Sequence, residues 1–220
     1  MTGTDGVRTD PRGIVLRGYE LASHAYRGDE FALAGSRYEY WLGRFVRRLT
    51  DGARILDVGC GNGLPVAREL AARFAVTGVD LSPVQIERAR ALVPAARFEC
   101  ADMTALDYAP ASFDAIAAFY SIINVPLPEQ PSLIRRMAGW LAPGGWIIAT
   151  VGQEPWTGVE SDWRGVRGAQ MYYSHGAAEH YRAWFAAAGL ELAEQGREPR
   201  TGNPGYAMLL ARRAGAEVRA

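Results

Sequence analysis

The chain has 220 residues, 49% of them hydrophobic and 22% charged, which are ordinary proportions for a folded globular protein. Lys plus Arg equal Asp plus Glu at 24 each, so the formal net charge is zero and the basic footprint of a nucleic-acid binder is missing. No run approaches the roughly 18 consecutive apolar residues of a membrane span, and the expectation is a soluble, cytoplasmic protein.

This length predicts one domain over 1–220, with a core large enough to need neither disulfide nor metal. Residues 1–13 are polar and Gly-rich and read as a frayed tail. Ile14 to Tyr26 carries Leu16, Tyr19, Ala22 or Ser23, and Tyr26 at helical spacing. After a polar break at Arg27 to Glu30, Ser36 to Leu49 reads as a second helix. Its stripe is Tyr38, Trp41, Leu42, Phe45, Val46 and Leu49, with Arg44, Arg47 and Arg48 outward or at the C-terminal dipole end. Asp51-Gly52 ends it.

From Ala53 the period alternates. Strands are predicted at Arg54–Val58, Ala75–Val79, Arg97–Cys100, Phe113–Phe119 and Gly145–Val151. Helices are predicted between them at Leu64–Arg73, Pro83–Leu92 and Pro128–Leu141. Ser82-Pro83 with Gln85 resembles a capping box with Pro in the first helical position. Nearly all-apolar strands joined by helices predict a parallel sheet covered on both faces. Gln153 to Ser174 breaks the rhythm with Gly, Trp and Tyr and reads as an aromatic insertion. A helix at Gly176–Ala188 follows. Leu190–Ala193 and Tyr206–Ala211 then form a hairpin whose last strand is antiparallel. The expected fold is α/β: a Rossmann-like three-layer sandwich with a mostly parallel seven-stranded sheet.

The stretch Ile55-Leu56-Asp57-Val58-Gly59-Cys60-Gly61-Asn62-Gly63 ends a strand in an acid and places three glycines at alternate positions before a helix. Glycines here let a small molecule approach bare backbone. A dinucleotide fingerprint needs G-x-G-x-x-G, whose pyrophosphate lies on the helix N-terminus. The spacing here is G-x-G-x-G, and Asp57 would repel a pyrophosphate but suit an ammonium-bearing ligand. S-adenosylmethionine has a sulfonium and an amino group and no phosphate.

ILDVGCGNG, VTGVDLS, FECADM and LAPGGWIIAT, in that order, resemble the class I S-adenosylmethionine-dependent methyltransferase family, in particular its small-molecule subgroup. The resemblance covers about Tyr19 to Arg212. It implies that Asp57, Gly59, Gly61 and Gly63 hold the methionine moiety, with the acid on its amino group. It further implies that Asp80 takes the ribose hydroxyls, Leu81 flanks the adenine, and Asp102 and Met103 read the adenine edge. Carboxylates suit these partners because hydroxyls and amines donate hydrogen bonds. Tyr19 and Tyr26 match the family's N-terminal lid tyrosines, within a helical lid over 1–50; core packing is the competing account. The implied product is S-adenosylhomocysteine.

Tyr120 and Asn124 follow the fourth strand, at the mouth where a substrate meets the sulfonium. The subgroup commonly has His at the position of Asn124, and Asn cannot take a proton at neutral pH. Asn124 is therefore either a catalytic position without a base or a turn residue before Pro126. Tyr172, Tyr173 and His175, in the insertion 153–175, are the other catalytic candidates, in a loop that could close its ring faces over the sulfonium. The alternative is that these rings cap the sheet's open end. His175 is a base or a cap for the next helix, whereas His24 and His180 read as surface or packing residues.

No metal is expected, since three separated histidines lack ligand spacing. Cys60 and Cys100 read as reduced, in apolar surroundings. The expected partner is a small-molecule acceptor, for a monomer or homodimer, with neither nucleic acid nor membrane. Asn124-Val125-Pro126-Leu127 is not the Asn/Asp-Pro-Pro-aromatic motif of amine-directed nucleic-acid methyltransferases. A second enzyme reading is cyclisation of the cofactor, its amino group attacking its own γ-carbon to give azetidine-2-carboxylate and methylthioadenosine.

Overall fold

The computed structural model describes residues 10–197 and 205–215. Most of the polar stretch 1–13 and the Pro/Gly-rich loop before Tyr206 lie outside them. Strands β1 (Arg54–Val58), β2 (Ala75–Asp80), β3 (Arg97–Cys100), β4 (Phe113–Ala118), β5 (Leu141–Gly152), β8 (Leu190–Arg197) and β9 (Tyr206–Arg213) form one sheet in the order β3-β2-β1-β4-β5-β9-β8. The first five run parallel, and β9 enters antiparallel between β5 and β8. This is the expected seven-stranded sheet.

The sheet is buried on both sides because its central strands are apolar at consecutive positions. Ile55, Ala115, Ala117 and Ile148 face α2 (Glu39–Val46), α3 (Val66–Ala71) and α4 (Pro83–Leu92), which contribute Trp41, Leu42, Phe45, Leu70 and Ile86. Leu56, Ile116, Ile147 and Ala149 face α5 (Gln130–Trp140) and α6 (Ala178–Ala187), which contribute Leu133, Ile134, Met137, Tyr181 and Phe185. A strand with helices on both faces has no polar side to show. Because β1 is flanked by β2 and β4, the strand order reverses at its C-terminal end, where sheets of this kind open a crevice.

Several boundaries differ from expectation. Helix α1 (Pro11–Tyr26) begins at Pro11 rather than Ile14, since Asp10 caps it by accepting from the Gly13 N–H at 3.3 Å. Ser82 caps α4 as expected, accepting from the Gln85 N–H at 3.3 Å. The Gln85 side chain does not close the capping box, because its Oε1 accepts from the Ser23 hydroxyl of α1 at 3.0 Å. β5 starts at Leu141, before the Pro143-Gly144-Gly145 turn, with an irregular register against β4 between Phe113 and Ala115. Cys100 is exposed, not set among apolar neighbours, while Cys60 is buried, and both are free thiols.

The aromatic insertion is ordered. Strands β6 (Trp156–Ser161) and β7 (Gln170–His175) form a separate antiparallel hairpin, pairing Trp156 with His175 and Val159 with Tyr172. Two strands alone are marginal in water. Here α1 packs across β7, and Val15, Ala22, Trp163, Ala169 and Met171 make a small third core. Gly18 permits that approach: a Cβ on it would lie 2.1 Å from the Gln170 carbonyl oxygen. The outcome is a helix and a hairpin standing together at the C-terminal ends of the parallel strands.

Candidate active site

The glycine turn leaves β1 and floors a cleft lined from above by Arg12, Val15, Leu16, Tyr19 and Tyr26 of α1. Its far wall is Phe119, Tyr120, Ser121 and Asn124, after β4. Gly59 is required twice over. Its φ is +72°, and a Cβ on it would lie 2.3 Å from the Ser121 Cβ. Gly59→Ala is therefore expected to lose cofactor affinity by more than tenfold and to lower the melting temperature, since a left-handed backbone alone costs about 1–2 kcal/mol for an L side chain. Unchanged binding of S-adenosylhomocysteine by this variant would show that the turn does not need bare backbone.

Three carboxylates reach the cleft, each in a different state. Asp57 is 2% exposed and its Oδ2 has no partner. Burial, with the Asp80 charge adding to it, pushes its carboxyl up to about 8. Asp80 is also buried, and burial raises its carboxyl even though its oxygens accept from the Ser82 and Gly61 N–H groups, each at 2.9 Å. Each oxygen keeps a second lone pair for a ligand hydroxyl. Asp102 is more fully occupied. Its Oδ1 accepts from the Thr104 N–H at 2.7 Å and hydroxyl at 2.8 Å, and its Oδ2 accepts from Arg12 Nε at 2.6 Å. Burial works against ionisation of Asp102, but these hydrogen bonds outweigh it and hold the carboxyl below its usual range.

Arg12 thereby clasps α1 across one end of the cleft, bonding Thr104 at 2.9 Å and also Glu129. Tyr19 and Tyr26 lie edge to face at 5.2 Å between ring centres, and both meet the buried Trp163 ring, at 5.1 and 5.2 Å. Across from them Tyr38 packs against Phe119 at 5.6 Å and Tyr120 at 5.2 Å. Tyr120 has φ +53°, a conformation a bulky residue takes only when its surroundings impose it.

Of the expected cofactor positions, Tyr19, Tyr26, Asp57, Gly59, Gly61, Asp80, Leu81, Asp102, Met103 and Tyr120 are brought together on the cleft. Gly63 is not on its lining and faces Val93 and Phe98, at 3.0 and 3.4 Å from a built Cβ. Asn124 lines the cleft, but its Nδ2 donates to the Tyr172 carbonyl at 2.7 Å, so its amide ties the turn after β4 to the hairpin. Tyr172, Tyr173 and His175 are not on that lining. Tyr173 accepts from Trp163 Nε1 at 3.0 Å, and burial pushes its phenol up. His175 Nδ1 donates to the Glu154 carbonyl at 2.7 Å, and burial lowers its pKa. The cap of α6 comes from His180, whose Nδ1 accepts from the Ala177 N–H at 3.2 Å, and not from His175.

Sequence reading missed Arg12, Arg27, Asn62, Thr104 and Ser121 as cleft residues, and took Tyr38 for core alone. None of the first five carries a periodic signal, and the period that Tyr38 does carry marks it as core. Among the described residues there is no group of three or more His, Cys, Asp or Glu able to hold a metal ion. No helix among them is long and apolar enough to cross a membrane.

The cleft fits S-adenosylmethionine on its own chemistry. Asp57, two residues before Gly59, has an unpartnered buried carboxyl oxygen, and Ser121, whose Oγ lies 3.2 Å from a Cβ built on Gly59, an unpartnered buried hydroxyl; both oxygens accept what an ammonium group donates. Residues 55–145 match the family model described as a methyltransferase domain. The 27-O-demethylrifamycin SV methyltransferase of Amycolatopsis mediterranei (strain S699) is 36% identical over 143 residues, 57% of this chain and 49% of that one. The chain spans about half the length, or less, of the curated relatives it matches. Among solved structures, the [4+2]-cyclase SpnF superposes with TM-score 0.70 at 22% identity, over 93% of this chain and 96% of that one. S-adenosylmethionine-bound CalS10, an amino pentose methyltransferase from Micromonospora echinaspora, does so with TM-score 0.64 at 25% identity, over 86% and 95%. Fold, glycine turn and family match agree: residues 55–145 are a methyltransferase domain, set in the fold of the class I S-adenosylmethionine-dependent methyltransferases.

Proposed function

We propose that the protein transfers the methyl group of S-adenosylmethionine to a nucleophile on a small molecule by in-line displacement. The observation that carries this reading is the Asp57 carboxyl, buried, with its Oδ2 unpartnered, set at the glycine turn under a cleft of aromatic side chains. The bound cofactor supplies an electrophilic methyl on a sulfonium. Asp57 and Ser121 orient its amino group, Asp80 receives its ribose hydroxyls, and Met103 and Leu81 bound its adenine. Asp102, whose oxygens already serve Thr104 and Arg12, orders that end of the cleft and keeps at most a lone pair for the adenine amine.

Tyr19, Tyr26, Tyr38, Phe119 and Tyr120 exclude water from the reacting end and offer ring faces to the sulfonium. Their contribution is positioning and desolvation, which can supply much of the acceleration of a displacement. No proton transfer is given to Asn124, because its amide is a donor to Tyr172. The acceptor is small: the relatives named above act on rifamycin-type and amino-sugar compounds, and the chain's neutral charge gives nucleic acid no purchase.

The second reading, cofactor cyclisation to azetidine-2-carboxylate and methylthioadenosine, draws support from the cleft having no histidine on its lining. The same Asp57 weighs against it, since a carboxylate beside the amino group keeps it protonated and withholds the attacking lone pair. Purified protein incubated with S-adenosylmethionine, alone and with a panel of hydroxyl- and amine-bearing small molecules, separates the two by product analysis. S-adenosylhomocysteine formed only with an acceptor is the expected result. Methylthioadenosine released without one would overturn methyl transfer.

A further inference from the structure

Four aromatic side chains, outside the lining of the cofactor cleft, continue its far wall as a row of rings. Tyr120, on that wall, meets the Tyr206 ring edge to face at 5.9 Å between centres. Tyr206 meets His175 in the same way at 5.7 Å, His175 lies 6.2 Å from Trp156, and Trp156 lies 5.8 Å from Tyr173. Tyr173 returns the row to the cleft, because its hydroxyl accepts from Trp163, which packs on Tyr19 and Tyr26. Tyr120 follows β4, Tyr206 opens β9 opposite Gly152 at the end of β5, and the other three belong to the β6–β7 hairpin. The row therefore stands at the C-terminal ends of the parallel strands, where sheets of this kind take their ligands.

Two glycines seat these rings. Trp156 and Gly158 share one face of β6, opposite His175 and Tyr173 of β7. A Cβ on Gly158 would lie 2.9 Å from Trp156 Cζ2, so the bare strand lets the indole lie back along it. A Cβ on Gly152 would lie 2.5 Å from His175 Nδ1, so the end of β5 is likewise bare where the imidazole rests. His175 is pinned further by its bond to the Glu154 carbonyl. Trp156, seated in this way, is nevertheless 47% exposed. Burial is what a large aromatic gains most from, and an indole fixed by its backbone yet left half in water presents area to a ligand.

The row carries no formal charge. Burial pushes the Tyr173 phenol up and the His175 imidazole down, which leaves both neutral near pH 7. Glu160 and Arg164, whose charges act on Tyr173, have opposite signs. Ring faces supply area while the phenols, imidazole and indole supply single polar edges, a surface that suits a flat, uncharged, unsaturated ring and repays an ionic compound poorly. We propose that Tyr206, His175, Trp156 and Tyr173 form the acceptor platform, and that the acceptor is a planar aromatic compound whose face lies on the Trp156 indole while its hydroxyl or ring N–H points past Tyr120 into the cleft. This rests on the methyl-transfer reading above. The new bond forms between that oxygen or nitrogen and the methyl carbon as the carbon–sulfur bond breaks; the electron pair of the broken bond stays on sulfur, and the acceptor's proton passes to water.

Calorimetry on the S-adenosylhomocysteine complex tests the platform with two probes of one connectivity, 2-naphthol and its saturated counterpart decahydro-2-naphthol. The naphthol should bind, and about tenfold more tightly than the saturated alcohol, the scale of a ring–ring contact beyond its buried area. Trp156→Ala should abolish that preference and leave the affinity for S-adenosylhomocysteine unchanged, while Trp156→Phe should keep most of it. Wild type that binds neither probe, or both equally, would overturn the proposal without any variant needing to fold. So would a Trp156→Ala variant that still prefers the naphthol. A wild-type dimer in sedimentation that Trp156→Ala dissociates would give the patch to a second copy of the chain and sink the platform. Failure of wild type to bind S-adenosylhomocysteine would instead remove the cofactor reading beneath it, and the platform's purpose with it.

Discussion

Asp57→Asn should make the ligand-free protein more stable and the cofactor complex much weaker. In the free protein the Asp57 carboxyl is raised to about 8 by burial and by Asp80, against an ordinary value near 3.9 in the unfolded chain. The folded state then holds a proton that the unfolded state releases between these values. This group's contribution is fully favourable below the unfolded value, falls as pH rises from about 4 to about 8, and stays low above that. A carboxamide does not titrate, so the variant lacks this decline. The gap in stability between variant and wild type should therefore widen with pH up to about 8, on a scale of several kcal/mol, and the gap in melting temperature with it.

Ligand binding should move the other way. An ammonium against Asp57 supplies the missing partner and draws the proton off. S-adenosylhomocysteine binding by wild type should then release a proton near pH 7, visible as a buffer-dependent enthalpy, and lose at least tenfold in affinity in Asp57→Asn. Melting curves of the two proteins across pH 5–9, with and without S-adenosylhomocysteine, give both quantities. A variant that binds as tightly as wild type would remove Asp57 from the cofactor site.

The second large effect is expected at Trp163, one of the aromatic residues of the insertion. It is 1% exposed, packs on Tyr19 and Tyr26 of α1, and donates to the Tyr173 hydroxyl. It is the piece that fastens the helix above the cleft to the hairpin behind it. Trp163→Ala removes a buried aromatic, which costs about 3–5 kcal/mol where the surroundings do not collapse. That core is separate from both faces of the sheet. Hydrogen exchange should therefore quicken in α1 and β6–β7 while β1, β4 and β5 stay protected. S-adenosylhomocysteine should dissociate faster, with association little changed. Uniform loss of protection across the sheet would show that the helix and hairpin are not a separately held unit.

The chain shows by itself what depends on neighbours in sequence. The strand–helix rhythm from Ala53 onward, the caps at Ser82-Pro83, and the acid and glycines of the turn are local patterns, and each local pattern has one cheap backbone solution. They determined the mostly parallel seven-stranded sheet, its antiparallel last strand and the methyltransferase domain. The carboxylates Asp57, Asp80 and Asp102 were legible for the same reason, standing at or just after the ends of successive strands.

The tertiary structure decided everything that depends on distant partners. Gln153 to Ser174 carries no clean alternation, and its hairpin is supported chiefly by α1, more than a hundred residues earlier. Asn124, which has no proton chemistry of its own, gives its amide to the Tyr172 carbonyl, and His175 turned to Glu154, away from the cleft lining. Asp102 found Arg12, and Arg27, one polar residue in a break between helices, became a buried cation beside the glycine turn. An isolated arginine has no period to read. Its meaning comes only from what folding takes away around it, here water and, among the described residues, any carboxylate within ion-pair distance.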